Sequence, residues 1–348
     1  MNNPKRLRVV QWATGNIGAR AMRRVIEHPQ LELVGLYVHS AEKAGRDAGE
    51  MCGLGPVGVI ATNAIDEVIV LRPDCVLYMP GTTSYDDVCA LLRAGVNIVT
   101  TRGDFCRPAS MDPLRRAQVE AACLEGNASI HSTGISPGFK TETIPLLLTS
   151  LQRRLDHLSI EEFSDVSSRN SPDMLFGIMG FGAKPGPVEP RRLNMLRDSF
   201  GPSLELVADA IVLPLDDVSV TGQQGIARQD TRIAAGLVPA GTVAATRTIV
   251  SGMRGGRELM SFSATWYVTS DILEGEGWRF RSGGWHVAVQ GDVPLDVSVS
   301  YPVAPEDYAD MTPNLTAHGP VNAIAFVCAA PPGIRTTADL PLVTARLG

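Results

Sequence analysis

One short segment constrains this chain more than any other. Leu7–Trp12 is an apolar run of strand length, and Ala13-Thr14-Gly15-Asn16-Ile17-Gly18 follows it directly. A helical pattern then runs over 18–28: Ala21, Met22, Val25 and Ile26 share one side, with Arg20, Arg23 and Arg24 between them. This is the G-x-G-x-x-G turn with Ala in the first place. Small residues let the backbone approach a pyrophosphate closely, and N–H groups at the helix N-terminus bind its oxygens. The plain alternative is a tight strand-to-helix turn that holds no ligand. The context favours the dinucleotide, because a second strand, Leu31–His39, follows at the proper distance. Ala13, Thr14, Gly15, Asn16, Ile17 and Gly18 are therefore candidate cofactor contacts.

The tip of the second strand reads the ribose. A carboxylate there binds the hydroxyls of NAD and repels a 2′-phosphate. This chain has Val38-His39-Ser40, with Lys43 and Arg46 shortly after. Hydroxyl, imidazole and cations suit a phosphate. The preferred cofactor is NADP, with NAD as the alternative, and His39, Ser40 and Lys43 join the candidate contacts. Either cation alone is equally explained as part of a solvated loop. Met79, Pro80 and Thr100, at the ends of the apolar runs 74–79 and 96–100, complete that part of the cofactor set.

A length of 348 residues suggests two domains. Strand-length runs at 74–79, 96–100 and 129–132, with a helical pattern at about 84–94, continue the alternation begun by the turn segment. That pattern predicts an α/β fold: a Rossmann-type parallel sheet with helices on both faces. After about Leu151 the period changes to two, as in Trp285–Gln290 and Leu295–Tyr301. Val243–Val250 and Met260–Thr269 read as longer antiparallel strands, and Gly180–Pro190 as a mobile loop. The expected division is 1–150 with 312–348 for the dinucleotide domain. Residues 151–311 are expected to form an α+β substrate and oligomerisation domain with a large mixed sheet. The helical pattern Pro320–Ala330 opens the C-terminal return.

Composition excludes several classes. With 44% hydrophobic and 20% charged residues the chain can pack a core, unlike a disordered or collagen-like sequence. A net charge of −6 argues against nucleic-acid binding. No apolar run reaches the roughly 18 residues of a membrane helix. Lys5, Arg6 and Arg8 are followed only by Val9-Val10 and then Gln11, so no secretion signal is expected. The six cysteines are scattered without a C-x-x-C, which predicts reduced thiols in a cytoplasmic protein and no metal site.

Beyond the turn, longer stretches carry a family resemblance. V-V-Q-W-A-T-G-N-I-G at Val9–Gly18 and H-S-A-E-K-A-G-R-D-A-G-E at His39–Glu50 resemble the dihydrodipicolinate reductase-like proteins. S-I-H-S-T-G-I-S-P-G-F at Ser129–Phe139 and M-G-F-G at Met179–Gly182 extend the likeness. T-A-H-G-P-V-N-A-I-A-F-V-C-A-A-P-P-G-I at Thr316–Ile334 is the most specific of these signals. Within the group the sequence is most similar to the 2,4-diaminopentanoate dehydrogenase and native amine dehydrogenase branch. The resemblance implies a Rossmann domain, an α+β substrate domain, a last segment that returns to the Rossmann domain, and a homodimer. It implies NAD(P)H-dependent reductive amination of a small carbonyl, or the reverse oxidation of a primary amine. The H-H-x-x-K-x-D-x-P-S-G-T-like run of true dihydrodipicolinate reductases is missing.

The family's catalytic glutamate lies in a T-C-E-E-L-x-x-P-like segment after the fifth strand. The matching residues here are Thr101-Arg102-Gly103-Asp104-Phe105-Cys106-Arg107-Pro108. One Glu position is Gly103 and the other Asp104, a carboxylate one methylene shorter. Hydride transfer to a C=N carbon needs a base for the ammonium or carbinolamine and a negative charge beside the iminium, and Asp104 is the candidate for both. Burial in an apolar pocket would raise its pKa toward neutrality. A loop or helix-cap aspartate is the bland alternative.

His131 is a candidate proton donor, although a packed, hydrogen-bonded histidine is the commoner case. Lys140 is a candidate acid or ligand for a substrate carboxylate, with a solvent-facing side chain slightly favoured. Glu142, in a first helical turn, is sufficiently explained by the helix dipole. Cys106 as a thiol nucleophile lacks an assignable histidine partner. Asn322 is a candidate for the nicotinamide amide, or else a helix-packing residue. Phe139, Phe176, Met179, Phe181 and Trp285 are candidates for an apolar pocket wall, and equally for core. Two other functions compete: an NADPH-dependent carbonyl or enoyl reductase on the same scaffold, and an NADP-binding protein without turnover.

Overall fold

The strand–helix alternation read from the first part of the chain is realised in the computed structural model, which describes residues 5–273, 278–281 and 283–347. The chain divides into two compact units, Met1–Glu142 with Met311–Gly348, and Thr143–Asp310.

In the first unit, β1 (Leu7–Trp12), α1 (Asn16–Ile26) and β2 (Leu31–Tyr37) form the opening strand–turn–helix–strand. They are followed by α2 (Ala48–Met51), β3 (Ala61–Thr62), α3 (Ile65–Val70), β4 (Cys75–Tyr78) and α4 (Tyr85–Arg93). Next come β5 (Asn97–Thr100), α5 (Pro113–Gly126) and β6 (Ser129–Ser132). In the second unit the order is α6 (Ile144–Thr149), β7 (Leu155–Asp165), α7 (Pro190–Ala210), β8 (Asp217–Ala227), β9 (Thr231–Ile233) and β10 (Gly236–Val238). It continues with β11 (Val243–Arg254), β12 (Arg257–Tyr267), β13 (Ile272–Leu273), β14 (Gly284–Gly291) and β15 (Leu295–Val299). The helix α8 (Pro305–Cys328) belongs to the first unit from Met311 onward, and β16 (Gly333–Arg335) follows.

The first unit's sheet has seven strands among the described residues, in the order β16-β6-β5-β4-β1-β2-β3. Every pairing in it is parallel. Alternate residues of β1 supply both of its cores. Val10 and Trp12 join Val76, Tyr78, Ile98 and Ile130 under α3, α4 and α5. Val9 joins Leu77 and Val99 under α1 and α8, through Ala21, Val25, Val321 and Ile324. Both faces are therefore covered, as parallel strands buried on two sides require. The order reverses between β1 and β4, and such a switch point is where open α/β sheets bind ligands, at the C-terminal edge of the strands.

The second unit carries a seven-stranded mixed sheet, β13-β8-β11-β12-β7-β14-β15, among the described residues. Only β12 with β7 is parallel; the other pairs are antiparallel. One element here was not anticipated. The helix α7 packs buried Leu196, Leu204, Leu206 and Val207 on this unit, with Pro202 inside it. Gly201 and Pro202 hide its periodicity in the sequence. The last helix also begins earlier than the pattern 320–330 suggested, because Pro313 and Pro320 lie within α8 and do not open it. Among the described residues no helix is long and apolar enough to cross a membrane.

Candidate active site

The turn after β1 has the shape that pyrophosphate binding asks for. Ala13 takes the left-handed conformation at φ 73°, which lets the chain reverse between strand and helix. The buried amide of Gln11 holds it there, with Nε2 donating to the Ala13 carbonyl at 3.0 Å. The Ala13 N–H donates to the Tyr37 carbonyl at 2.8 Å and ties the turn to β2. Gly18 is obligatory for packing, since a Cβ on it would lie 2.3 Å from the Ala13 carbonyl oxygen. Gly15 is different: a Cβ there would meet nothing within 4 Å. Room is thus kept directly over the start of α1. Gly15 is the N-cap, no side chain caps the helix, and its first turn holds no acidic residue. The first N–H groups of α1 are left to an anion. Asn16 is exposed, its Oδ1 accepting from Arg20 Nε at 3.2 Å, and Ile17 packs partly against the core under α1. The residues present fit the diphosphate of a dinucleotide.

At the tip of β2 no carboxylate replaces the sequence-predicted set. His39 and Ser40 are exposed. The His39 ring stands edge-on to Tyr37, with centroids 5.2 Å apart. Lys43 folds back over the turn, its Nζ 3.3 Å from Thr14 Oγ1. The next segment is anchored by Asp47, whose carboxylate accepts from the N–H groups of Gly49, Glu50, Val57 and Gly58. Those bonds hold its pKa below the ordinary aspartate value.

The loops after β4, β5 and β6 meet at the same edge. Thr100 is wholly buried, donating to the Tyr78 carbonyl at 2.6 Å and accepting from the Arg102 N–H at 3.0 Å. Met79 and Pro80 are buried beside it, Met79 N–H donating to the Trp12 carbonyl at 3.0 Å. Asp104 sits in a 3-10 turn, Gly103–Phe105, just past β5. Its Oδ2 accepts from Thr83 Oγ1 at 3.0 Å and from Arg102 Nε at 3.3 Å. Arg102 also donates to Thr83 Oγ1 at 3.2 Å and to the Gly81 carbonyl at 3.0 Å. The Ser132 hydroxyl donates to the Arg102 carbonyl and brings in the end of β6. Asp104 therefore stands in a polar, partly exposed circuit and not in the apolar pocket the sequence suggested. Arg102 and Thr83 escaped the sequence reading. The signal for Arg102 was its place two residues before the carboxylate; Thr83 had none.

The other candidates are placed as follows. His131 is 2% exposed inside β6, with Nδ1 2.7 Å from the Arg335 carbonyl on β16, and burial lowers its pKa. Lys140 is buried, which corrects the favoured solvent-facing reading; it lies in a π-helical turn, Phe139–Thr143, that side-chain spacing does not reveal. Glu142 of that turn is wholly buried and accepts from the Thr337 hydroxyl, so its setting is not the helix-dipole one. Cys106 is buried, and burial together with the Glu142 carboxylate pushes its thiol pKa far up. That removes the thiolate a nucleophile needs. Asn322 lines a cavity with Leu7 and Leu31, the first residues of β1 and β2. That is the edge opposite the turn, and not where a nicotinamide contact was expected.

Of the candidate pocket residues, Phe139 is 46% exposed in the first unit. The others lie in the second unit. Met179 and Phe181 are buried in its core and Phe176 packs against them. Trp285 is buried on β14 beside Tyr301, with ring centroids 5.8 Å apart.

Comparison with known proteins agrees with this fold. Residues 9–111 match the dihydrodipicolinate reductase N-terminus, and residues 198–348 match the 2,4-diaminopentanoate dehydrogenase C-terminal domain. An amine dehydrogenase of Streptomyces virginiae is 30% identical over 97% of this chain and 98% of its own length. A 4-hydroxy-tetrahydrodipicolinate reductase of Synechococcus elongatus is 28% identical over 47% of this chain and 60% of its own. In fold, the chain is similar to an amine dehydrogenase structure from Mycobacterium smegmatis, with a TM-score of 0.75, 21% identity and 99% of each chain covered. Sheet, turn and relatives together define an NAD(P)-dependent oxidoreductase. The chain belongs to the dihydrodipicolinate reductase-like family, in its 2,4-diaminopentanoate dehydrogenase and amine dehydrogenase branch.

Proposed function

We propose that this chain is an NADP-linked amine dehydrogenase that interconverts a small carbonyl compound plus ammonia with the primary amine. The carrying observation is Asp104, a carboxylate held by Thr83 and Arg102 past the end of β5. β5 lies two strands from β1 in the sheet order. At ~4.8 Å per strand, Asp104 stands on the order of 10 Å along the edge from the phosphate turn. When bound, the nicotinamide supplies a hydride to the C=N carbon, or takes one from the amine carbon.

The chain's own residues do the rest. N–H groups at the start of α1 hold the diphosphate. Lys43, Ser40 and His39 receive the 2′-phosphate on the β2 side. Toward β4, β5 and β6, Met79, Pro80 and Thr100 shape the floor. Both hydrogen bonds to Asp104 fall on Oδ2, which leaves Oδ1 for a substrate. There it takes the proton of the ammonium or carbinolamine and stabilises the iminium. Phe139 offers an exposed apolar wall for a small substituent.

The test follows nicotinamide absorbance with NADP+ and a panel of primary amines at alkaline pH, with Asp104→Asn alongside. Turnover by the wild type, lost in a variant that still binds NADPH, supports the reading. NADPH binding with no amine turnover, or carbonyl reduction indifferent to ammonia, overturns it in favour of a carbonyl reductase.

A further inference from the structure

The cavity that Asn322 lines lies at the edge of the first sheet remote from the turn, and nothing in the proposed reaction uses it. It has a volume of about 160 Å³. A water takes roughly 30 Å³, so the space holds a tetrahedral ion with its first waters. Its floor comes from the starts of β1 and β2 and from α8; its polar lining is Lys5, His28, Gln30, Asn322 and Arg346. Three of these five are cationic or can become so, and among the described residues no carboxylate lines the cavity.

We propose that this cavity is a binding site for a small phosphate-type oxyanion. His28 is 5% exposed, and its Nδ1 accepts from the Gln30 N–H at 3.1 Å. In the neutral ring the proton is therefore on Nε2, as a donor. Arg346 reaches across to Gln30, with Nη1 3.1 Å from Oε1, while its guanidinium stacks 5.6 Å over Phe326. That places the C-terminal segment against the cavity with its charge fixed. The Asn322 Oδ1 is buried without a partner. Among the described residues, the charged groups that line the cavity or act on the His28 pKa are Lys5, Arg24 and Arg346, all positive. Burial, then Arg24 and Arg346, lower the His28 pKa. A hydrogen-phosphate-type oxyanion accepts from Nε2, Lys5 and Arg346, supplies the missing negative charge, and through its P–OH donates to Asn322 Oδ1.

The probe is inorganic phosphate, titrated against chloride at constant ionic strength, with and without NADPH. The readout is the imidazole NMR signal of His28, assigned by its loss in His28→Gln. The expected result is a saturable shift of that signal, a rise in its pKa, and an unchanged midpoint when NADPH is present. Arg346→Ala and Lys5→Ala each raise the midpoint by roughly tenfold, the loss of one charge-assisted bond. NADPH affinity stays the same in both variants. A His28 shift that follows ionic strength without saturating overturns the proposal. So does a midpoint in both variants that is unchanged from the wild type, while their circular dichroism also matches it.

Discussion

The ammonium of Lys43 lies 3.3 Å from the Thr14 hydroxyl, which sets a cation from the segment after β2 against the phosphate turn. On the proposed reading this charge meets the 2′-phosphate that NADP carries and NAD lacks. Lys43→Ala is expected to weaken NADPH binding by roughly ten- to a hundredfold, the value of a hydrogen bond to a charged group. NADH binding should hardly change. Fluorescence titration of both cofactors measures this. Equal losses for the two would assign Lys43 to holding Thr14 and not to reading the phosphate.

Gly15 and Gly18 separate ligand binding from folding. At Gly18 an added Cβ would meet the Ala13 carbonyl oxygen at 2.3 Å, so Gly18→Ala must displace backbone. A loss of about 1–3 kcal/mol is expected, read as a lower Tm without any cofactor present. At Gly15 the same Cβ meets nothing within 4 Å, and φ is −67°, which alanine adopts freely. Gly15→Ala should melt like the wild type and yet bind NADPH at least tenfold more weakly. Wild-type affinity in that variant would mean that the room over α1 is not where the diphosphate lies.

Much of the first unit was legible because each signal was local. Leu7–Trp12, the turn and Leu31–Tyr37 announce themselves by composition, spacing and the small residues at 13, 15 and 18. Of the helices with prolines inside them, α7 was not legible and α8 was legible only in its last part, from Pro320 onward. Pro202 and Pro313 read as breaks, since proline lacks the N–H a helix interior uses, yet α7 and α8 run through them. At the candidate site, Asp104 could be named from the family segment, but its setting could not. Arg102 lies two residues before it, but Thr83 reaches it from the loop after β4, and such a meeting is fixed by the sheet order and not by spacing. Lys140 and Glu142 were misjudged for a related reason: a π-helical turn carries no simple period, so their burial was invisible.

The cysteines should be slow to react. All six are free thiols, and Cys75, Cys89, Cys106 and Cys123 are buried. Burial raises the pKa of each of these four, that of Cys123 to about 12, so little thiolate forms near neutral pH. Cys52 and Cys328 are the partly exposed pair. Mass spectrometry after brief alkylation of the native protein should find label on those two first, with the remaining four modified only after unfolding. Early labelling of Cys106 would return it to consideration as a nucleophile.

Asp47 predicts an acid-side loss of stability. Its two carboxylate oxygens accept four backbone N–H groups, the closest being Gly58 at 2.7 Å and Gly49 at 2.8 Å. These bonds lower its pKa in the folded protein, burial opposing them only in part. The unfolded chain therefore binds a proton before the folded one does as pH falls. The stabilisation is fully present above the ordinary aspartate range and disappears as pH falls through the lower folded value. Asp47→Asn keeps the shape but leaves one acceptor oxygen for the donors, so it should melt lower than the wild type at neutral pH. The gap in Tm should stay constant down to about pH 5, begin to close near the ordinary aspartate value of about 4, and vanish as pH falls through the lower folded value. A gap that widens toward acid would mean that the N–H groups of Val57 and Gly58 are not what holds this carboxylate charged.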